Sequence, residues 1–169
     1  MKILLPLSVI LLLSSCWPSS VSFVDSGSMP EEWKQFYVKT IKNNAPNTPI
    51  SYNSILTENV KDAIQNGTRL SLATRIEDAQ IEIEGIITSY SITPIALQEG
   101  DNAAQNRLSV SVKFDIFINA PEDDEMHLIS TRFIDYPAST DLAQVESEYL
   151  EEVNKQIVQD VVNKLLSNW

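Results

Sequence analysis

Residues 107–118 constrain the fold most, because every second side chain there is apolar. Every even position carries an apolar side chain, namely Leu108, Val110, Val112, Phe114, Ile116 and Ile118, and the other face is mostly polar. A period of two is the pattern of a β-strand with one buried face, and it is typical of an antiparallel sheet covered on one side. Residues 126–136 follow a charged connection and are predicted to form the partner strand.

Residues 140–167 have a helical pattern, with an apolar side chain at every fourth position. This ladder consists of Val145, Tyr149, Val153, Ile157, Val161 and Leu165. It predicts a long amphipathic helix that packs its apolar stripe on the sheet, with Ser139 or Asp141 as its N-cap. A shorter helix is predicted over residues 49–66, with Thr48 as its N-cap and a proline in its first turn.

Shorter patterns predict the other strands, over residues 33–42, 68–74 and 80–92. Pro94 is expected to end the third of these, and Gly85 within it indicates a bulge or a close backbone contact. The element order is β-α-β-β-β-α, with one or two short extra strands. We therefore predict an α+β two-layer sandwich, with two helices on one face of a mostly antiparallel sheet of four strands or slightly more.

The composition is that of one folded domain and excludes some classes of function. The chain has 169 residues, of which 43% are hydrophobic and 21% charged, and its formal charge is −11. Binding to nucleic-acid phosphates needs clustered lysine and arginine, so no nucleic-acid partner is expected. His127 is the only histidine and Cys16 the only cysteine. The sequence therefore predicts neither a histidine-rich metal site nor an internal disulfide.

The N-terminal segment predicts export. Lys2 precedes an apolar run over residues 3–13, which is too short for a membrane-spanning helix of about 20 residues. A positive start, a short apolar core and small residues before a cut site are typical of a secretory signal. The string Leu13-Ser14-Ser15-Cys16 resembles the bacterial lipobox. We interpret residues 1–15 as a lipoprotein signal peptide; the alternative is an ordinary signal followed by a cysteine without a role.

The lipobox resemblance implies that the Cys16 thiol carries a diacylglycerol, with a further acyl chain such as palmitate added after cleavage. Two or more acyl chains give a durable membrane anchor, and no other cofactor is expected. Residues 16–33 are rich in serine and proline and are predicted to be a lipidated N-terminus and flexible tether. Residues 34–169 would then form the single domain. Many lipoproteins that are retained in the inner membrane have an aspartate directly after the lipidated cysteine. This chain has Trp17 there, which favours the outer membrane.

No motif indicates an active site, and we predict that the protein is not an enzyme. His127 beside Glu125 is a candidate general base, but an exposed strand histidine is more often a surface residue. The acidic run at residues 122–125 lacks the alternating ligands of calcium loops, so a solvated turn is the simpler interpretation. Glu82 and Glu84 are a candidate carboxylate pair that the strand alternation explains as solvent-facing. A binding or structural role is the better prediction.

Several strings, in this element order, resemble the divergent branch of the LptE family of lipopolysaccharide-assembly lipoproteins. Besides the lipobox they are Ile-Leu-Thr-Glu-Asn at 55–59, Gly-Ile-Ile-Thr-Ser-Tyr at 85–90, Pro-Ile-Ala at 94–96, Asn-Arg-Leu-Ser-Val at 106–110 and the final Asn168-Trp169. They span nearly all of the mature chain. The family fold, two helices on a four-stranded sheet, agrees with the fold predicted above.

The resemblance implies a partner, an LptD-type β-barrel in the outer membrane, which the protein would plug from the periplasmic side and help to assemble. It also implies a role in moving lipopolysaccharide to the cell surface. The better-studied branch contacts lipopolysaccharide phosphates through basic residues; the candidates here are Arg107, Lys113 and Arg132, with scattered surface charges as the alternative. An alternative function is a periplasm-facing lipoprotein that binds a small lipid or glycan in a preformed apolar pocket.

Overall fold

A computed structural model describes residues 29–95 and 104–167, which form two helices on one face of a six-stranded sheet. The strands are β1 (Gln35–Val38), β2 (Lys42–Asn43), β3 (Ser71–Leu72), β4 (Ile81–Ile95), β5 (Gln105–Ile118) and β6 (Asp124–Pro137). The helices are α1 (Tyr52–Gly67) and α2 (Leu142–Leu166), and one 3-10 turn, Ile76–Asp78, precedes β4. The predicted α+β class and element order are confirmed, with β2 and β3 as the short extra strands.

The sheet is mixed, with strand order β3-β1-β4-β5-β6 and β2 beside β4. The long strands β4, β5 and β6 form an antiparallel meander. The short strands pair in parallel, β1 with both β3 and β4, and β2 with β4. Parallel neighbours need a crossover connection, and α1 supplies the one between β1 and β3. The prediction of a mostly antiparallel sheet is therefore confirmed, and parallel pairing is confined to the short N-terminal strands.

The core lies between the sheet and the two helices. Every even-numbered residue of β5 from Leu108 to Ile118 is buried, as the alternation predicted. Val153, Ile157, Val161 and Leu165 of the predicted helical ladder are fully buried in α2. Burying one such aliphatic side chain stabilises the fold by about 1.5–3 kcal/mol. The two periodic patterns thus meet in one core.

The predicted strand over residues 33–42 is divided in two, because the chain turns toward α1 after β1. The Lys39 N–H still donates to the Ile83 carbonyl at 2.9 Å. The Ile41 N–H instead donates to the Thr57 hydroxyl of α1 at 3.0 Å. Because the Ile41 N–H bonds to this helix side chain, it cannot bond to β4. The pairing with β4 is interrupted there, and β1 and β2 are separate strands.

Both ends of α1 differ from the prediction. The helix begins at Tyr52, after a turn closed by the Tyr52 N–H and the Pro49 carbonyl at 3.0 Å. Thr48 does not cap it, since its hydroxyl donates to the Ala45 carbonyl at 3.1 Å. At the other end the Thr68 hydroxyl donates to the Ile64 carbonyl at 2.7 Å. The predicted strand over residues 68–74 therefore shortens to β3.

Strand β4 continues through Pro94 to Ile95, although Pro94 was expected to end it. Pro94 lies opposite Asn106. This pair lies beyond the register shift between Ile87 and Ser89, where β5 is the only described strand beside β4. One side of β4 is therefore an open edge at Pro94, and proline is tolerated in a strand where its missing N–H would face such an edge.

The other strand and helix boundaries agree with the sequence patterns. Of the two caps considered for α2, Asp141 is the one that acts, because its carboxylate accepts from the Ala143 N–H at 3.2 Å. Within the described ranges no helix has both the length and the apolar character needed to cross a membrane.

The predicted signal peptide, Cys16, most of the tether and Asn168-Trp169 lie outside the described residues. Of residues 29–33, assigned to the tether from composition, Met29 and Trp33 are buried in the core. The Trp33 indole N–H donates to the Ala120 carbonyl at 2.8 Å. The packed part of the chain therefore includes Met29.

Candidate functional site

The sheet face opposite the helices presents the odd-numbered side chains of β5 and β6, and this outer face holds most of the candidate residues. Its centre is polar: Ser111 and Thr131 lie opposite each other, with their hydroxyls 2.9 Å apart. Ile129 and Phe133, also on this face, are 69% and 46% exposed. A mixed polar and apolar face of this kind is suited to contact with another macromolecule.

Arg107 lies on the outer face and forms an ion pair with Asp135. Its guanidinium donates to both oxygens of Asp135, at 2.6 and 2.7 Å, and its Cζ lies 3.7 Å from the centre of the Phe133 ring. The hydrogen bonds from Arg107 lower the pKa of Asp135. A phosphate would have to compete with this carboxylate for Arg107.

Lys113 lies on the same face at the other end of β5. Its Nζ donates to Asp115 Oδ2 at 2.9 Å, and this bond is the main cause that lowers the pKa of Asp115. His127 Nδ1 lies 2.7 Å from the other oxygen of Asp115 and 3.7 Å from a carboxylate oxygen of Glu125. The three acidic and imidazole groups could share a cation, but they also satisfy one another together with Lys113. His127 is therefore part of a surface polar cluster.

Arg132 lies on the opposite face of the sheet, toward α2. It donates through Nε to Asp160 Oδ2 at 2.8 Å and through a second nitrogen to the other oxygen, while the Ser130 hydroxyl donates to the same carboxylate at 2.6 Å. Burial alone would raise the pKa of Asp160, but the hydrogen bonds from Arg132 and Ser130 lower it. The three predicted lipopolysaccharide contacts therefore do not form one patch: Arg107 and Lys113 share a face, and Arg132 is separated from them by the sheet.

Glu82 and Glu84 do not form an isolated carboxylate pair, because Lys39 lies between them. Its Nζ donates to Glu84 at 2.6 Å and also contacts Glu82. These hydrogen bonds, the one to Glu82 first, raise the pKa of Lys39. The sequence analysis missed Lys39, since nothing in the local pattern gives the parallel register of β1 against β4.

A cleft of about 430 Å³ opens between the N-terminal half of α1 and residues 146–154 of α2. Its lining combines apolar side chains such as Ile55 and Leu150 with polar ones such as Glu146. At its base the Tyr52 hydroxyl donates to Asn154 Oδ1 at 2.6 Å. Ile50 beside the cleft is 99% exposed. No sequence signal pointed to this cleft, because it depends on how the two helices approach each other.

The structure is thus a two-layer α+β domain in which several surface charges are paired into clusters. A family model described as LptE, lipopolysaccharide-assembly, matches residues 33–165. The chain therefore belongs to the LptE family of lipopolysaccharide-assembly proteins, as the sequence strings indicated, and this family is not a family of enzymes.

Solved structures of similar fold include lipoproteins from two bacteria. A minor lipoprotein from Acinetobacter baumannii is 15% identical, with a TM-score of 0.52 over 80% of this chain and 94% of that one. Lipoprotein B from Nitrosomonas europaea is 16% identical, with a TM-score of 0.51 over 85% of this chain and 86% of that one. At these identities the likeness concerns the fold. A search of curated proteins finds no match.

Proposed function

We propose that this protein is a non-enzymatic outer-membrane lipoprotein that plugs an LptD-type β-barrel and assists its assembly for lipopolysaccharide transport. The observation that carries the proposal is the family match over residues 33–165, nearly the whole packed domain. The paired charges of the described surface agree with a role in binding. A plug needs a stable domain with accessible faces, and the two-layer fold provides both.

The proposed anchor is lipid on Cys16, after removal of residues 1–15 as a signal peptide. The supporting observation is the string Leu13-Ser14-Ser15-Cys16 behind a short apolar run. Two or more acyl chains would hold the protein on the periplasmic side of the outer membrane. Mass spectrometry of the mature N-terminus tests this step directly, and an unmodified Cys16 thiol would contradict it.

Affinity purification from crosslinked membranes tests the barrel partnership. We expect a large outer-membrane barrel protein to be recovered with the tagged chain in about equal amounts. Depletion of the chain should also lower the level of that barrel and of surface lipopolysaccharide. Recovery of the tagged protein without any barrel, under conditions that crosslink other envelope complexes, would remove the proposal.

Direct contact with lipopolysaccharide through Arg107, Lys113 and Arg132 stays a prediction. Because the three residues lie on two faces of the sheet, each face is tested separately. Arg107→Ala and Lys113→Ala change the outer face, whereas Arg132→Ala changes the helix side. Each cation has a carboxylate partner within hydrogen-bonding distance. Because the sheet separates the two sites, we expect either the outer-face variants or Arg132→Ala to lose lipopolysaccharide capture, but not both. Equal effects of all three changes would indicate a general loss of positive charge.

Binding of a small lipid or glycan is the second candidate function, and the cleft between the helices supports it. Ile55→Glu would place a charge at the cleft wall while leaving the outer face unchanged. If the cleft binds a lipid or glycan, this variant should lose that ligand and keep its barrel partner. Depletion separates the two functions, because only the first predicts a fall in barrel level.

A further inference from the structure

The only histidine of the chain lies on the outer face of the sheet, beside two carboxylates. Asp115 on β5 and His127 on β6 are directly opposite each other in the ladder. Glu125 precedes His127 by two residues, and residues two apart on a strand share a face. One ligand atom from each of these three side chains lies within 4.8 Å of the other two. Imidazole and carboxylate groups are ligands that divalent metal ions use in proteins.

The pairing of β5 with β6 brings these side chains together. The Ala138 N–H donates to the Ala104 carbonyl at 2.9 Å, and this pair continues the unbroken register of the ladder. Hydrogen-bonded and non-bonded pairs alternate in an antiparallel ladder, so Asp115 and His127 form a non-bonded pair. In such a pair the Cα atoms are about 4.5 Å apart, and the side chains are closer than in a bonded pair. Glu125 is the diagonal neighbour of Asp115, a distance that a long side chain can span.

The hydrogen bonds of this cluster include Asp115 but not the Glu125 carboxylate. His127 Nδ1 lies 2.7 Å from Asp115 Oδ1 and 3.7 Å from Glu125 Oε1. The longer distance is outside hydrogen-bonding range, and one ring nitrogen carries at most one hydrogen. Two carboxylate oxygens therefore lie around a single ring nitrogen. A Zn²⁺ ion, which binds nitrogen and oxygen at about 2.0–2.2 Å, can join all three atoms, whereas a proton joins only two.

Lys113 is the competing cation, and it uses the other oxygen of Asp115. Its Nζ donates to Asp115 Oδ2 at 2.9 Å, whereas His127 approaches Oδ1. An ion bound at Oδ1 would therefore leave the Lys113 bond in place. Lys113 supplies one positive charge against two carboxylates, and Glu125 ends the acidic run at residues 122–125. The local excess of negative charge attracts cations.

The three side chains differ in exposure in a way that suits an adjustable site. The Asp115 side chain is 19% exposed and is held by Lys113, whereas those of Glu125 and His127 are 45% and 61% exposed. The two more exposed side chains can rotate to shorten their distances to an ion bound at Asp115. Water can occupy the open side, as it does at zinc sites with three protein ligands.

We propose that Asp115, Glu125 and His127 form a binding site for a divalent transition-metal ion, with Zn²⁺ as the ion tested. The ion joins β5 to β6 next to the connection between them and stabilises that end of the sheet. The imidazole distinguishes this site from the all-oxygen sites of Ca²⁺ and Mg²⁺, because imidazole favours transition metals. The site uses neither the interhelical cleft nor residues 1–33, so it holds or fails independently of the barrel partnership.

Calorimetric titration of Zn²⁺ into the full chain in a mild detergent tests the site. The protein is purified without a polyhistidine tag and treated with a chelator, so that His127 is the only imidazole present. We expect one Zn²⁺ to bind per chain. His127→Gln and Glu125→Gln should each weaken binding about tenfold or more, because each change removes one of three ligands.

Glu122→Gln is the matched control, because it removes one carboxylate of the same acidic run without removing a ligand. It should bind Zn²⁺ like the unsubstituted chain. No zinc binding, or equal binding by the unsubstituted chain and His127→Gln, would overturn the proposal. Binding of Ca²⁺ as tight as that of Zn²⁺ would also contradict it, because the ion would then respond to acidic charge alone.

A spectroscopic measurement locates the ion. Nitrogen-15 NMR of imidazole groups reports on one residue, because the chain has one histidine. A ring-nitrogen resonance of His127 should shift as Zn²⁺ is added and stop shifting at one equivalent. Zinc binding by calorimetry with an unchanged His127 spectrum would place the ion elsewhere and refute the proposal.

Thermal unfolding shows whether the ion stabilises the sheet. A ligand that binds only the folded protein raises its unfolding temperature. Zn²⁺ should therefore raise the unfolding temperature of the unsubstituted chain and of Glu122→Gln, but not that of His127→Gln. Equal stabilisation of all three proteins would rule out the site. The NMR titration uses the unsubstituted chain, so it decides the question even if a variant does not fold.

Discussion

At the scale of single residues, Gly85 leaves less room for a side chain than Gly67, the other glycine in the described residues. A Cβ atom there would lie 2.9 Å from Ile41 Cγ1 and 3.2 Å from two atoms of the Phe114 ring. Of the two sequence interpretations of this glycine, the close contact applies, because the register shift in β4 lies between Ile87 and Ser89.

We therefore expect Gly85→Ala to destabilise the fold by about 1–3 kcal/mol, the usual effect of overpacking a core. The measurement is urea unfolding followed by circular dichroism. In an Ile41→Ala background the same change should be less harmful, because the nearest atom is gone. An equal loss of stability in both backgrounds would show that the effect arises from the strand backbone and not from contact with Ile41.

Asp160 is the residue whose charge joins β6 to α2. Its pKa is lowered by Arg132 and Ser130, so it adds stability above the unfolded value of about 3.9 and loses it as pH falls through the folded value. Its side chain is 19% exposed. Asp160→Asn should cost about 1 kcal/mol at pH 7, after allowance for solvent screening.

The difference between Asp160→Asn and the unsubstituted protein should shrink as pH falls from above the unfolded pKa of about 3.9 through the lowered folded pKa of Asp160, because both proteins then lack the charge. Urea midpoints across this range provide the measurement. Glu122→Gln, in the exposed connection before β6, controls for the loss of one negative charge. A difference that is constant with pH would show that the Asp160 charge does not contribute.

At the scale of elements, the two helices are joined by one buried polar pair. Tyr52 of α1 donates to Asn154 of α2, and both side chains are almost fully buried. Burial raises the pKa of Tyr52, so it stays a donor through the physiological range. Because a buried polar atom without a partner is costly, this pair sets how the helices meet.

Tyr52→Phe should destabilise the protein by about 1–3 kcal/mol, since Asn154 loses its partner. Adding Asn154→Leu should recover part of that loss, because both polar groups are then replaced by apolar ones. Thermal unfolding of the two single variants and the double variant measures the coupling. Purely additive effects would mean that the hydrogen bond does not link the helices.

The elements also show what periodicity could predict. In β5 one face is apolar and the other mostly polar, so the alternation predicted the strand, its length and its buried face. In β6 apolar residues occur at both parities, with Leu128 and Ile134 inside and Ile129 and Phe133 outside. When neither face of a strand is clearly polar, the sequence pattern does not show which side chains face the core. Arg132 was therefore grouped with Arg107 and Lys113, although it lies on the opposite face of the sheet.

The short strands could not be predicted from local patterns, because distant contacts define them. β1 and β2 are separated by the hydroxyl of Thr57, sixteen residues from Ile41. The cluster of Lys39 with Glu82 and Glu84 likewise depends on a parallel register. The family-like strings identified the family, whereas the geometry of its surfaces required the fold.

At the scale of the whole molecule, the proposed anchor and the proposed barrel partner have separable effects. Cys16→Ala should remove the lipid and reduce recovery in outer-membrane fractions. Ser15→Ala keeps a small residue before the cysteine and should behave like the unsubstituted chain. Membrane fractionation with immunoblotting measures both.

If the barrel itself holds the domain, a complex that is already assembled should survive enzymatic cutting of the tether. Release of the domain on cutting would show that the lipid is needed for retention as well as for delivery.

The place of β1 in the sheet has a consequence for the order in which the domain is completed. β1 lies between β3 and β4, although it is the first strand of the chain. Ribosomes and export channels deliver the N-terminal end first, so β1 emerges before either neighbour exists. It must wait as an unpaired apolar segment until residues 81–83 arrive. The lipid proposed on Cys16 lies upstream of β1, so it would keep the waiting segment near the membrane surface.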